Sequence, residues 1–189
     1  MTHQGTKPLE STKLLLRRFT AEDAGAMYQN WASDPEVSKY LTWPTHASVD
    51  VSTETLNSWL PQYENDNYYH WAIIVKENGD MPVGSIGVVG QRDNTKRVEI
   101  GYCVGRQWWG QGIVSEAFNL LIAFFFEEVK ANRIVAIHDT KNPASGRVME
   151  KCGLTYEGML RQHGYNNQGV CDEAVWAILA QDYYTKSQH

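Results

Sequence analysis

Gln107-Trp108-Trp109-Gly110-Gln111-Gly112 is the stretch that decides how this chain is read. A strand-like segment, Arg97 to Val104, precedes it, and an apolar-striped segment runs from Ile113 to about Ala131. Strand, glycine turn and helix in that order make a cradle for an anion. Backbone N–H groups at a helix N-terminus lack intrahelical partners, and the helix dipole favours negative charge there. Glycine lets backbone approach an oxygen closely because no Cβ intervenes. A nucleotide P-loop would need Lys-Ser/Thr after the second glycine. Gly105 and Gly110 have that spacing, but Gln111-Gly112 stand where the pair should be. A dinucleotide fingerprint would need a third glycine where Ser115 stands, in a first βα unit rather than past mid-chain. An ordinary strand-to-helix turn also fits the six residues taken alone.

A second stretch narrows the choice. Asn142-Pro143-Ala144-Ser145 opens a short helix that continues through Gly146-Arg147-Val148-Met149-Glu150-Lys151-Cys152 to Gly153. Asn142 reads as its N-cap and Pro143 as its first helical residue. Ser145 falls in the first turn, and Gly153 reads as a left-handed C-terminal cap.

Gln107 to Gly112 also fits Gln/Arg-x-x-Gly-x-Gly/Ala without a gap, and Asn142 to Leu154 fits Asn-x-x-Ser followed by Gly-Phe/Leu. Both patterns resemble the GNAT acetyltransferase superfamily. Gly153-Leu154-Thr155-Tyr156-Glu157-Gly158-Met159-Leu160-Arg161 and the opening Thr12 to Phe19 are similar to its ribosomal-protein N-terminal (serine/alanine) acetyltransferase branch. The resemblance covers roughly residues 10 to 183. It implies an α/β fold in one domain: a mixed, mostly antiparallel central sheet, flanked by helices, with a splayed central strand pair that holds coenzyme A. It further implies an N-acetyltransferase in which an amine attacks acetyl-CoA directly in a ternary complex, the acceptor being a protein N-terminal α-amine. A small amine (polyamine, amino acid or aminoglycoside) is the alternative acceptor, and a non-catalytic acyl-CoA-binding module the alternative class.

The resemblance also implies site residues. Backbone groups of Tyr102, Cys103 and Val104 would meet the pantetheine arm. Gln107, Gly110, Gln111, Gly112 and Ile113 would surround the pyrophosphate, with Trp109 anchoring the loop. Asn142 would touch the pantetheine besides capping its helix. Ser145 would lie near the thioester sulfur and protonate the leaving thiolate, or else serve only as a helix residue. Glu99 is the candidate base, its alternative being a structural glutamate opposite Ile100. Some relatives carry a glutamate further along the strand after Glu157, where this chain has Gly164 with His163 beside it. Gly101, inside the strand pattern, is consistent with a bulge. A protein α-amine loses its proton near pH 8 and lysine near 10.4, so a site without a strong base suits an α-amine better.

The chain has 189 residues, 42% hydrophobic and 21% charged, which fits one domain with a substantial core. A net charge of −5 argues against nucleic acid or an anionic membrane as partner. Three cysteines, Cys103, Cys152 and Cys171, form no C-x-x-C pair, and six histidines lack ligand spacing, so neither disulfides nor a metal are expected. A polar opening and a short longest apolar run, Leu120 to Phe126, point to a cytoplasmic protein.

Residues 1–9 read as a flexible N-terminus, 10–183 as the domain and 184–189 as a tail. Along the domain the pattern predicts a strand over 14–19, a helix started by Thr20-Ala21-Glu22-Asp23 and a break at Asp34-Pro35. A helix over 53–64 follows, with strands over 69–76, 83–89 and 98–104. Then come a helix over 113–131, a strand over 133–138, a helix over 143–152, and strands near 155–163 and 172–179. Aromatic Tyr69 to Trp71 and Tyr183-Tyr184 are candidate contacts if the monomer pairs as a homodimer.

Overall fold

The computed structural model describes residues 1–186. Eight strands form one sheet in the order β1-β2-β3-β4-β5-β6-β8-β7. They are β1 (Leu9–Glu10), β2 (Leu14–Arg17), β3 (His70–Val75), β4 (Pro82–Arg92), β5 (Arg97–Val104), β6 (Arg133–Asp139), β7 (Thr155–Asn166) and β8 (Gly169–Leu179). Every neighbouring pair is antiparallel except β5 with β6. The helices are α1 (Ala24–Met27), α2 (Pro35–Ser38), α3 (Val49–Trp59), α4 (Ile113–Glu127), α5 (Pro143–Lys151) and α6 (Ala180–Lys186).

The sheet buries both faces, and each face has its own core. On one, α4 lays Ala117, Phe118, Leu121 and Phe125 against Val98, Ile100, Ile134 and Ala136. Those four helix residues are fully buried; each large one contributes about 2 kcal/mol. On the other face α1, the π-helical turn Tyr28–Ala32 that continues it, and α3 bring Met27, Trp31 and Leu56 over Ala72 and Ile74. The first helical turn begins as the capping box predicts. Thr20 N–H donates to Asp23 Oδ2 at 2.8 Å, and Asp23 also takes both Arg17 guanidinium nitrogens at 2.7 and 2.8 Å. Asp34 caps α2 by accepting from Glu36 N–H at 3.0 Å.

Several expectations are corrected. The helix expected over 53–64 starts earlier, at Val49, and stays α-helical only to Trp59. Pro61 then falls in a 3-10 turn over Leu60–Glu64, which tolerates its missing N–H. Helix α4 stops at Glu127 rather than 131. Residues 1–9 are held down: Thr2 N–H donates to Val129 O, Gly5 N–H to Asp66 O, and Trp71 Nε1 to Lys7 O at 2.6 Å. At the other end α6 runs through Tyr184, whose hydroxyl donates to Phe126 O; residues 187–189 of the expected tail lie outside the described residues. Tyr69 and Trp71 are buried against Phe124 and Phe125 within the monomer, so they offer no dimer contact. The bulge assigned to Gly101 lies in the neighbouring strand: β4 gains a residue at Val89 between its pairs with Ile100 and Glu99. Gly101 makes room for it, since a Cβ there would lie 2.7 Å from Val89 Cγ1.

Candidate active site

The central feature is a fork. Strands β5 and β6 pair only through Arg97–Arg133, Val98–Ile134 and Glu99–Val135. Beyond Glu99, residues 100–104 stay paired to β4 alone, and residues 136–139 to β8 alone. The facing edges of both strands therefore present backbone N–H and C=O groups to the gap. An extended chain can add there as a strand would. Tyr102, Cys103 and Val104 lie on this open edge.

The loop at the mouth of the fork is built to expose backbone. Trp109 Nε1 donates to Val104 O at 2.9 Å and ties the loop to the strand end, while its ring is half exposed. Gln111 Nε2 donates to Gln107 O at 2.8 Å. Gly110 (φ 75°) and Gly112 (φ 77°) both take left-handed backbone, which side chains resist. Gly112 stands at the N-cap of α4 and no side chain caps that helix, so its first-turn N–H groups point outward. The Ile113 side chain is buried in the core and only its backbone reaches the loop.

Two lysines join this cradle that no local pattern in the sequence marks. Lys151, at the end of α5, places Nζ 3.9 Å from where a Cβ on Gly112 would sit. Lys13, just before β2, lines the same open groove of about 510 Å³ with Gln111, Ser115 and Asn119. Two cations beside an uncapped helix N-terminus suit a polyanion such as a pyrophosphate. A side chain at Gly112 would intrude between helix and ligand.

Inside the fork, on the α4 face, the Tyr102 ring packs on Phe118 and its hydroxyl donates to Ser145 O at 3.2 Å. Burial raises the Tyr102 phenol well above its ordinary range, so it stays protonated. Asn142 occupies the N-cap position of α5, but its side chain caps no backbone N–H. Nδ2 donates instead to Ser145 Oγ at 3.2 Å, which corrects the expected cap. Ser145 Oγ thus accepts from Asn142 and keeps its own proton to donate. His138 is occupied structurally: Nδ1 donates to Asp139 O at 2.7 Å, and Nε2 accepts from Trp176 Nε1 at 3.1 Å.

Glu99 lies elsewhere. Strand alternation puts it with Arg97, Gly101 and Cys103 on the face of α1 and α3, opposite Tyr102 and Ser145. Its Oε2 accepts from Arg97 Nη2 at 2.6 Å. On the same face Cys103 Sγ lies 3.4 Å from Ser85 Oγ, and burial pushes the thiol up. The two residues expected to share the chemistry are thus on opposite sides of the sheet, with the fork as the passage between them.

A fork of this kind, with a glycine cradle at its mouth, defines a family when set beside known proteins. Residues 13–155 match the model described as "Acetyltransferase (GNAT) domain", and the chain belongs to that family and is an acetyltransferase. It is 30% identical over 175 residues to the uncharacterized N-acetyltransferase p20 of Bacillus licheniformis, covering 93% of this chain and 97% of that one. It is 28% identical over 139 residues to the ribosomal-protein-serine acetyltransferase of Escherichia coli (strain K12), covering 74% and 76%. Its fold matches that of a ribosomal L7/L12 alpha-N-protein acetyltransferase solved in complex with coenzyme A. The TM-score is 0.81 at 21% identity, over 93% of this chain and 99% of that one. No helix among the described residues is long and apolar enough to cross a membrane.

Proposed function

We propose that the protein transfers an acetyl group from acetyl-CoA to the α-amine at the N-terminus of a protein, by direct attack in a ternary complex. The observation that carries this reading is the fork beyond the Glu99–Val135 pair, with the Gly110–Gly112 cradle at its mouth and Ser145 on its wall. The pyrophosphate rests on the first turn of α4, with Gln107, Gly110, Gln111, Gly112 and Ile113 around it and Lys13 and Lys151 countering its charge. The pantetheine arm adds to the open edge at Tyr102–Val104 and meets Asn142. Ser145, aligned by Asn142, donates its hydroxyl proton to the sulfur as the carbon–sulfur bond breaks.

A clasp on the other face supports a chain end as acceptor. At the turn between β7 and β8, Asn167 Nδ2 donates to Ser38 O and Trp43 O, each at 2.8 Å, and Asn167 N–H to Leu41 O at 3.2 Å. This bridge ties the hairpin tip to the segment after α2, across the α1–α3 side of the sheet. An amine at the end of a chain passes under such a bridge more readily than one in the middle of a folded surface. The test is a peptide with a free N-terminal serine and one internal lysine, incubated with acetyl-CoA and sequenced by mass spectrometry. Acetyl on the α-nitrogen supports the reading. Acetyl on lysine alone, or only on a small amine such as spermidine added beside it, overturns the acceptor assignment.

A further inference from the structure

We infer that Glu173, held by His163, is the group that takes the proton from the acceptor amine; this rests on the acetyl-transfer reading above. Three observations place it. First, Glu173 pairs with Asp139, four residues past the last β5–β6 pair, so at the open level of the fork only β6 separates it from the gap. Its register puts it on the α1–α3 face with Glu99, where an amine approaches without meeting the cradle and α5. Second, the Glu173 side chain lies over Gly164. The φ of Gly164 is not among the positive ones, yet a Cβ at 164 would lie 2.5 Å from Glu173 Cδ. The Glu173 side chain fills the volume that any other residue at 164 would need. Third, His163 Nδ1 stands 2.5 Å from Glu173 Oε2, with the histidine exposed (59%) and the glutamate mostly covered (23%). An Nδ1–H donated to Oε2 fixes the carboxylate and leaves Oε1 to accept a proton. Glu99, by contrast, sits at the closed end of the fork with its carboxylate on Arg97. The other titratable groups nearby are Asp139 on β6, held by Asn166 at 2.8 Å, and Cys171 and Asp172 on β8 itself.

The ammonium gives one proton to Glu173 Oε1 while the His163 Nδ1–H holds Oε2, and the carboxyl afterwards releases that proton to water. The neutral nitrogen attacks the thioester carbonyl and the carbon–sulfur bond breaks. Ser145 gives its hydroxyl proton to the CoA sulfur, and the second nitrogen proton restores the serine hydroxyl as the amide forms. Glu173 is then the catalytic base and His163 a positioning residue.

The experiment measures release of CoA thiol from acetyl-CoA between pH 6 and 9, with a serine-initiated peptide and with spermidine, alongside the binding constant for acetyl-CoA. Glu173→Gln should lower kcat about a hundredfold or more and leave acetyl-CoA affinity unchanged, which also certifies the fold. Glu173→Asp should restore part of the rate. His163→Ala should reshape the pH profile with a smaller loss. Near wild-type turnover in Glu173→Gln overturns the proposal. If wild type turns over neither amine, the transfer reading fails on its own, and the dyad is judged by proton NMR. A downfield Nδ1 proton of His163 that vanishes in Glu173→Gln supports it, and the same spectrum in both proteins overturns it.

Discussion

At Ser145 the structure leaves the hydroxyl proton uncommitted to any protein acceptor among the described residues. Its hydroxyl oxygen accepts from Asn142, and its carbonyl is taken by Tyr102. Removing Oγ costs the leaving thiolate its donor without touching the cradle. Ser145→Ala should therefore lower kcat about a hundredfold and leave acetyl-CoA affinity within twofold, measured by steady-state kinetics and calorimetry. An unchanged kcat would remove the role. Gly112 makes the opposite prediction. At φ 77° a side chain costs about 1–2 kcal/mol, and its Cβ would stand in the open space 3.9 Å from Lys151 Nζ, where the phosphates are placed. Gly112→Ala should weaken coenzyme A about tenfold or more, with kcat at saturation little changed. Equal affinity would mean that the phosphates lie elsewhere.

Elements show which features could be read ahead. The capping box at Thr20, the break at Pro35, the left-handed Gly153 and the glycine turn before α4 are local, and each stands where its pattern put it. The start of α3 at Val49 and its 3-10 end were not legible, because tertiary packing of Leu56 and Tyr63 outweighs the weak pattern there. Asp23 joins two elements, capping the first turn after β2 and pairing with Arg17 from that strand, while itself only 5% exposed. Asp23→Ala breaks both links and leaves a partly covered guanidinium with only the Arg18 and Asp80 carbonyls as partners. It should cost about 3 kcal/mol, read as a lower midpoint in urea. A loss under about 0.5 kcal/mol would mean that solvent replaces the pair freely.

The whole molecule has a built-in pH dependence. His70 leads β3 into the sheet, its ring 4.2 Å from that of Trp59 and 5.4 Å from Phe19, with Tyr68 Oη 3.3 Å from Nδ1. Burial pushes it down from 6.5 to about 4, and His46 shifts the same way. In the unfolded chain the ring takes a proton below pH 6.5, while in the fold it resists until about 4. Stability is thus complete above pH 6.5 and falls between 6.5 and 4, by up to about 3 kcal/mol from this residue. His70→Gln should flatten that part of a melting-temperature profile; an equally steep fall would assign it to other groups.

Long-range features are what the sequence withheld. The fork depends on where β5–β6 pairing stops, and Lys13 and Lys151 meet only because β2 and α5 flank α4. The approach of Glu173 to Gly164 crosses two strands. None of these leaves a mark at fixed spacing, whereas turns and caps do. The deciding measurement is release of CoA thiol from acetyl-CoA by the purified protein. The acceptors are serine- and alanine-initiated peptides, each compared with the same peptide blocked at its α-nitrogen. Release that depends on the free α-amine is the predicted result, and equal release with blocked peptides, or none with either, contradicts it.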